Sequence, residues 1–443
     1  MSELIVLHRS ERHYLGVDIG RRHHVVSAIA RTTFDLGDAR WQSAPTMKVE
    51  VNRAGFERIA GLVTRLQVDG AEVVAGLEPT GGYYARTVHA FLRSLGIEVL
   101  WVKNHAVHDA RDAVYGKRTK TDPVDARLIA RLLYLREAVG QEYAFATSYD
   151  QIGAYATLRL LVGNRWKLRQ AQARAGNQLT QILDVVFPEI AEIFAKPTAS
   201  DAALLLLERY PTPAAITAAG HDEIYRIVVF EARAPRKAPM VPKLLERAHT
   251  SVGLKDGITD ILAAQSYLIG QLRRLDAEVA TIEQRLVDTL AGLPEADILL
   301  SFPACKHART ATVLGAMGAP VEAFHSDKAL RRHLGWSVEE ERSGTSVARE
   351  RLAVNGNRHS RRELRLWTLA LVSPNMPWTP FRAYYERLVA PPITKRPNVA
   401  LGHLASKLIT VMYFCMLRGQ RYDQARLAND MGLTVPDRAA MAN

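Results

Sequence analysis

Tyr14-Leu15-Gly16-Val17-Asp18-Ile19-Gly20 is the stretch on which the reading of this chain turns. Apolar and small residues run unbroken into a glycine, the pattern of a β-strand that ends in a turn. His24-Val25-Val26-Ser27-Ala28-Ile29-Ala30 reads as its neighbour, rich in β-branched residues and free of breakers. Met47-Lys48-Val49-Glu50-Val51 alternates as a third strand should. Phe56, Ile59, Leu62, Val63 and Leu66 then fall at helical spacing. Ala71 to Glu78 has the pattern of a buried strand, a helix is expected around Tyr83 to Leu95, and Ile97 to Val102 forms a fifth strand. A basic stretch that reads as irregular follows. A helix then begins near Asp122 and carries Leu128, Ile129, Leu132 and Leu133.

Three strands, helix, strand, helix, strand, helix is the order of an RNase H-like α/β domain, expected over residues 1–150. Residues 151–298 read as a helical region. Leu158 to Leu183 is rich in Arg, Gln, Ala and Leu, and Pro211 and Pro213 mark a break. Between Ile261 and Leu290, the residues Ile261, Leu268, Leu272, Leu275, Val279, Ile282 and Leu286 form a heptad seam, flanked by Arg273, Arg274, Glu278, Glu283 and Arg285. The seam alone does not set its partner: a dimerising coiled coil and a hairpin within the chain satisfy it equally. Gly292-Leu293-Pro294 ends that helix. Residues 299–443 form a third, mostly α-helical domain, with late helices at Trp367 to Val372 and Ala400 to Leu417. A loop-rich centre is expected between Gly335 and His359.

The chain has 443 residues, of which 48% are hydrophobic and 23% charged, an ordinary globular balance that excludes wholesale disorder. At roughly 150 residues per domain, two or three domains are expected. Two cysteines, Cys305 and Cys415, cannot make a disulfide framework or a four-cysteine zinc site. The apolar run Leu408 to Leu417 is too short to span a bilayer, so no membrane partner is expected. No signal-peptide pattern opens the sequence, which makes a cytoplasmic location the expectation. Lys and Arg number 58 against 46 Asp and Glu, a net charge of +12, and that excess points to a polyanionic partner such as nucleic acid.

Four carboxylates stand where they make chemical sense. Asp18 and Glu78 close the first and fourth strands, which are neighbours in an RNase H-like sheet. Asp122 and Asp125 open a helix, three residues apart and so on one face. If that helix packs on the sheet, all four converge. Hard oxygen ligands of this kind suit Mg²⁺, with Mn²⁺ as a substitute, and two such ions would clamp the attacking and leaving oxygens of a phosphodiester. Taken singly, each acid is better read as a turn residue or as a first-turn acid favoured by the helix dipole. Asp109 and Asp112 have no comparable placement. Thr80-Gly81-Gly82 can bring backbone N–H groups to a phosphate, and Lys117, Arg118 and Lys120 lie just before Asp122. The histidines His23-His24 and His105-x-x-His108 lack zinc-site spacing and read as surface or hydrogen-bonded residues.

Further along, Glu341-Arg342-Ser343-Gly344-Thr345-Ser346 is a polar loop, followed by Arg349, Arg351, Asn355-Gly356-Asn357, Arg358, Arg361, Arg362 and Arg365. An Arg-rich helix after a glycine loop suits a nucleic-acid backbone. On spacing alone, Ser343 is a turn residue.

Leu15-Gly16-Val17-Asp18, Glu78-Pro79-Thr80-Gly81, Lys120-Thr121-Asp122-x-x-Asp125-Ala126, and Ser343-Gly344 followed by Asn355-Gly356-Asn357 together resemble the DEDD transposases of insertion sequence family one-ten. These are bridge-RNA-guided recombinases with a RuvC-like N-terminal domain and a C-terminal transposase domain. The resemblance implies that Asp18, Glu78, Asp122 and Asp125 form a metal-binding tetrad and that Ser343 is the nucleophile of a 5′-phosphoserine link to DNA, with Ser346 as the fallback. It implies as partners donor and target DNA, a structured non-coding guide RNA and further copies of the chain, as a dimer or tetramer. Where members of the family often carry Pro-Gly-Ile-Gly, this chain has Pro303-Ala304-Cys305-Lys306. Two other functions compete: a RuvC-like junction resolvase that uses the acids and water, and a binding factor whose acids are only structural. The long C-terminal region speaks against the first. The cost of clustering like charges without a metal speaks against the second.

Overall fold

The structure is a computed structural model that describes residues 11–37, 39–78, 85–116, 120–141, 144–145, 153–336, 338–341, 349–352 and 358–433. It separates into two compact units. One comprises described parts of Met1–Thr157, Asp297–Cys305 and Val313–Asn443; the other comprises Leu158–Ala296 with Lys306–Thr312.

The first unit opens with a mixed five-stranded sheet. Its strands are β1 (Arg12–Ile19), β2 (His23–Ala30), β3 (Met47–Glu50), β4 (Glu72–Leu77) and β5 (Glu98–Trp101), in the order β3-β2-β1-β4-β5. β1 runs antiparallel to β2 and parallel to β4, and β4 runs parallel to β5, so β1 and β4 end side by side. The helices of this part are α1 (Arg31–Asp35), α2 (Arg53–Val68), α3 (Ala85–Ser94), α4 (Asn104–Tyr115) and α5 (Asp122–Val139). The stretch after β5, expected to be irregular, is in fact α4. Its Ala106, Val107 and Arg111 turn inward, and that stripe is too short to register against the polar residues around it.

Strand alternation sorts the two faces of the sheet. Leu15, Val17, Val73, Ala75, Leu77 and Trp101 pack with Ile59 and Val63 of α2 and Val88 and Leu92 of α3. Tyr14 and Val74, on the opposite face, pack with Val107 of α4 and Leu128, Ile129 and Leu133 of α5. Gly16 and Gly76 are register partners on that same face. A Cβ on Gly16 would lie 1.9 Å from the Ala126 carbonyl oxygen and 2.7 Å from the Ala130 nitrogen. A Cβ on Gly76 would lie 2.7 Å from Cγ2 of Ile129. α5 therefore sits on β1 backbone to backbone, with its own small residues Ala126 and Ala130 fully buried at the crossing. The far end of α5 is held by Glu137, which accepts from the Tyr14 hydroxyl at 2.9 Å and pairs with Arg12 and Arg31.

The second unit is helical. Its longest elements are α6 (Ala154–Val186), whose first residues lie in the other unit, and the heptad-bearing helix Thr259–Leu290, which becomes α11 once α7 (Ile190–Ile193), α8 (Asp201–Arg209), α9 (Pro213–Tyr225) and α10 (Met240–His249) are counted. Arg165 and Arg169 pair with Glu283, while Gln172 donates to Asp276, so the two long helices run antiparallel. Of the two partners that the heptad seam left open, the chain supplies its own over this stretch. Leu268, Leu272, Leu275, Val279 and Leu286 are buried, whereas Ile261 and Ile282 are half-buried.

The C-terminal part of the first unit contains α12 (Pro294–Leu300), α13 (His307–Met317), α14 (Asp327–His333), α15 (Arg358–Leu371), α16 (Pro380–Val389), α17 (Pro397–Leu417) and α18 (Gln424–Asp430). Only part of α12 and α13 lies within this unit. The centre that was expected to be loop-rich holds an antiparallel hairpin, β6 (Val338–Glu341) and β7 (Arg349–Leu352). Both strands are only four residues long and densely charged, which hid them from an apolar-alternation reading. α17 is long and apolar enough to cross a membrane by length and composition, contrary to the expectation from its last ten residues; half of that window is buried inside the protein. Ala400, Leu404, Ala405, Leu408, Ile409 and Met412 form its fully covered side. The trace passes from α12 to α13 through Ala304, which adopts a left-handed φ of 56°. Next to it the Trp367 indole N–H donates to the Pro303 carbonyl at 2.9 Å.

Candidate active site

Alternation carries the acids to one place. Asp18 lies two residues beyond Gly16, and Glu78 two beyond Gly76, so both strands deliver a carboxylate to the α5 face at their C-terminal ends. α5 starts at Asp122, with Pro123 in its first turn, where a missing N–H is harmless. Asp122 is exposed and Asp125, one turn on, is buried. Because the glycines let α5 sit close, its first turn comes over the ends of β1 and β4.

The electrostatics show that the acids feel one another. The Asp18 carboxyl is pushed up to about 6, first by burial and then by the charges of Asp122 and Asp125, with Lys120 opposing. Glu78 is pushed up to about 7 by burial and by Asp125 and Asp18, with Arg111 and Lys120 opposing. The structure thus brings the four predicted acids into one neighbourhood. Among the described residues, however, no three acidic, His or Cys side chains form a ready-made metal cluster.

Asp125 has a partner that sequence reasoning missed. Arg111 of α4 donates from Nε to Oδ1 at 2.7 Å and from Nη2 to Oδ2 at 2.8 Å, engaging both carboxylate oxygens. The two side chains are nearly inaccessible, at 8% and 4% exposure for the residues. A lone arginine in a polar stretch gives no signal in one sequence. The only available hint was its placement four and five residues after the buried Val107 and Ala106. His23, at the start of β2, lies 3.5 Å from the other helix acid, Asp122.

The other predicted residues are dispersed. Lys120 is exposed beside the acids. Lys117, Arg118, Thr80-Gly81-Gly82, Arg342, Ser343, Ser346 and Asn355-Gly356-Asn357 lie outside the described residues. Arg349 and Arg351 belong to β7, in register with Glu341 and Glu339 of β6. On α15, Arg358, Arg362 and Arg365 are exposed at steps of four and three and so share a face, whereas Arg361 is half-buried. Asp109 and Asp112, which had no comparable placement, flank His108 on the outer side of α4. The histidine reading needs one correction. His24 is buried at 1% exposure against Phe56, with neither ring nitrogen hydrogen-bonded, and burial lowers it to about 4. Sequence spacing does not report whether a β-strand histidine faces a polar group or an aromatic ring.

The donor chemistry of the four acids fits a hard divalent cation: all are carboxylates, and two of them, Asp18 and Glu78, are destabilised as anions first by burial and then by neighbouring acids. The fit is not complete as the side chains stand, since Asp125 is turned to Arg111.

A family model for DEDD transposases of the IS110 group, described as "Transposase", matches residues 15–188. A second, described as "Transposase IS116/IS110/IS902 family", matches residues 296–386. The chain belongs to the IS110 family of transposases. The first match spans all four acids, and the second spans Ser343 and the Arg-rich α15. Two relatives run nearly end to end with it. The "Insertion element IS110 uncharacterized 43.6 kDa protein" of Streptomyces coelicolor is 25% identical over 94% of this chain and 96% of its own length. The "Insertion element IS900 uncharacterized 42 kDa protein" of Mycobacterium paratuberculosis is 26% identical over 91% and 95%. As an IS110-family transposase, the chain belongs to a class that acts on DNA and uses divalent metal in general.

Proposed function

We propose that this transposase cuts and rejoins DNA through a phosphoserine intermediate on Ser343, with Asp18, Glu78, Asp122 and Asp125 holding Mg²⁺ in an RNase H-like, RuvC-like domain. The observation that carries the reading is the convergence of Asp18, Glu78 and the first turn of α5 in a chain of this family. Bound there, divalent ions would supply charge neutralisation of the scissile phosphate and activation of the attacking hydroxyl. The chain's own residues do the rest. Asp18 and Glu78 are fixed by the ends of β1 and β4, and Lys120 adds positive charge beside them. The exposed face of Arg358, Arg362 and Arg365, together with Lys117, Arg118, Arg342, Arg349, Arg351 and Arg361, binds nucleic-acid backbone, a contact that fixes position without reading sequence.

The resemblance supports the remaining parts of the proposal. A structured non-coding guide RNA selects donor and target DNA by base pairing, while the protein reads backbone shape. The acids of one copy and the serine of another meet in a dimer or tetramer, in the cytoplasm at the nucleoid. A covalent-trapping assay tests the core claim: protein, its flanking non-coding RNA, Mg²⁺ and end-labelled DNA are mixed, denatured and run on a gel. A protein–DNA adduct is expected from the wild type and from neither Ser343→Ala nor Asp122→Asn. Cleavage without an adduct, unaffected by Ser343→Ala, would instead make the protein a water-using nuclease of the resolvase type.

A further inference from the structure

Arg111 and Asp125 form a buried, two-pronged pair that joins α4 to the first turn of α5. Among the described residues, Arg111 pairs with no other carboxylate, and Asp125 with no other cation. The pair stands beside Glu78 and Asp18, whose carboxylates, among the described residues, are not matched by a cation at hydrogen-bond distance in the same way. A bidentate guanidinium uses the two oxygens that a metal ligand would offer, and in a fixed planar geometry that a lysine cannot copy. Among the described residues, Arg111 is thus the buried positive charge within the acidic neighbourhood, while Lys120 is exposed.

We propose that Arg111 is a positioning residue of the acidic site: it holds Asp125 among the other acids as the chain folds, and a divalent cation entering that site competes with it for the same two oxygens. The inference rests on the metal-binding reading above and adds to it a residue outside the predicted tetrad. In this arrangement the pair does two opposed things. It offsets the repulsion of Asp125 with Asp18 and Glu78, so the site can form before any ion is bound. It also weakens the first ion, because binding must loosen a buried pair. A merely structural staple would do only the first.

The two roles separate in a binding measurement that needs no catalysis. Free Mn²⁺ is counted by electron paramagnetic resonance while it is titrated into the full-length protein at pH 8, with neither DNA nor RNA present. Neighbours of metal ligands shift metal affinity on the order of 10–100-fold. Arg111→Met is therefore expected to bind Mn²⁺ about ten-fold more tightly than the wild type, while melting at a lower temperature in EDTA. Arg111→Lys, which keeps the charge but loses the fork, is expected to fall between them, and it carries the test if Arg111→Met does not fold. Mn²⁺ binding that is unchanged or weaker in the arginine variants, yet lost in Glu78→Gln, overturns the competition and leaves the metal site standing. No Mn²⁺ binding in the wild type or in either arginine variant overturns the metal reading and this inference together.

Discussion

Replacing Gly16 by alanine puts the closest crossing in the sheet domain to the test. The added Cβ would sit 1.9 Å from a backbone oxygen of α5 and 2.7 Å from a backbone nitrogen. Neither atom can swing away as a side-chain tip does, so the helix itself has to retreat by about 1 Å or more before ordinary contact is restored. Overpacking in a well-filled core costs about 1–3 kcal/mol where side chains can yield, and here the yielding body is a whole helix. A loss of about 3 kcal/mol or more is therefore expected. Gly76→Ala is the matched control, since its Cβ would meet Cγ2 of Ile129 at 2.7 Å and the Leu133 side chain beyond it. Those groups can repack, and about 1 kcal/mol is expected. Urea unfolding of the full chain, read at equal slopes, gives both numbers. DNA strand cleavage gives the second readout, because a misplacement of about 1 Å can lower a rate about 100-fold. Gly16→Ala should cut cleavage by about that factor even where enough protein stays folded to assay. A Gly16→Ala protein that loses no more stability than Gly76→Ala, or that cleaves at the wild-type rate, would refute the argument that backbone proximity of α5 places the acids.

Three further outcomes are expected. Glu78 is raised when folded, so the native state holds its proton more tightly than the unfolded chain, and the stability this gives is lost as pH rises from about 4 to about 7; without metal, Glu78→Gln should melt above the wild type at pH 8, and the gap should close below pH 5 in thermal scans with EDTA. His24 has the opposite sign: lowered to about 4, it weakens the native state as pH falls from 6.5 toward 4, and His24→Leu should remove that loss and add about 1 kcal/mol at pH 7, measured by denaturant melts, because a buried unpaired polar group gives way to an apolar one. Ala304 occupies a left-handed conformation that costs a non-glycine residue about 1 kcal/mol, so Ala304→Gly should stabilise the chain by about that amount in the same melts, and a loss would show that the Ala304 methyl is needed for packing.

Much of the sheet domain was legible because its strands are continuous apolar runs of the expected length. Asp18 and Glu78 stood out as candidates because a charge at the end of such a run is conspicuous. Asp122 and Asp125 stood out as a pair at the start of a strongly apolar helix. α4 was missed because its buried face is only one turn wide, and Arg111 was missed with it. The β6–β7 hairpin escaped because Val338-Glu339-Glu340-Glu341 and Arg349-Glu350-Arg351-Leu352 are short, densely charged stretches with no apolar alternation to mark them as strands. The heptad seam predicted that Leu268, Leu272 and Leu275 would be covered, yet an apolar stripe carries no label for the helix that covers it, and the antiparallel partner α6 became visible only through Arg165, Arg169 and Gln172. Pro303-Ala304 carries no glycine, so nothing in the sequence signalled that Ala304 takes a left-handed φ of 56°.

On the proposed metal-binding reading, the twin pattern Gly16-x-Asp18 and Gly76-x-Glu78 also bears on how copies of such a gene decay while a folded product is still selected. Once selection for activity lapses, either acid can drift to a neutral residue, and by relieving repulsion the change leaves a protein that folds at least as well as before. Gly16 has no such freedom, because its replacement costs the fold as well as the chemistry. Relics of the element should therefore keep the first glycine of the pair while losing the acids two residues downstream.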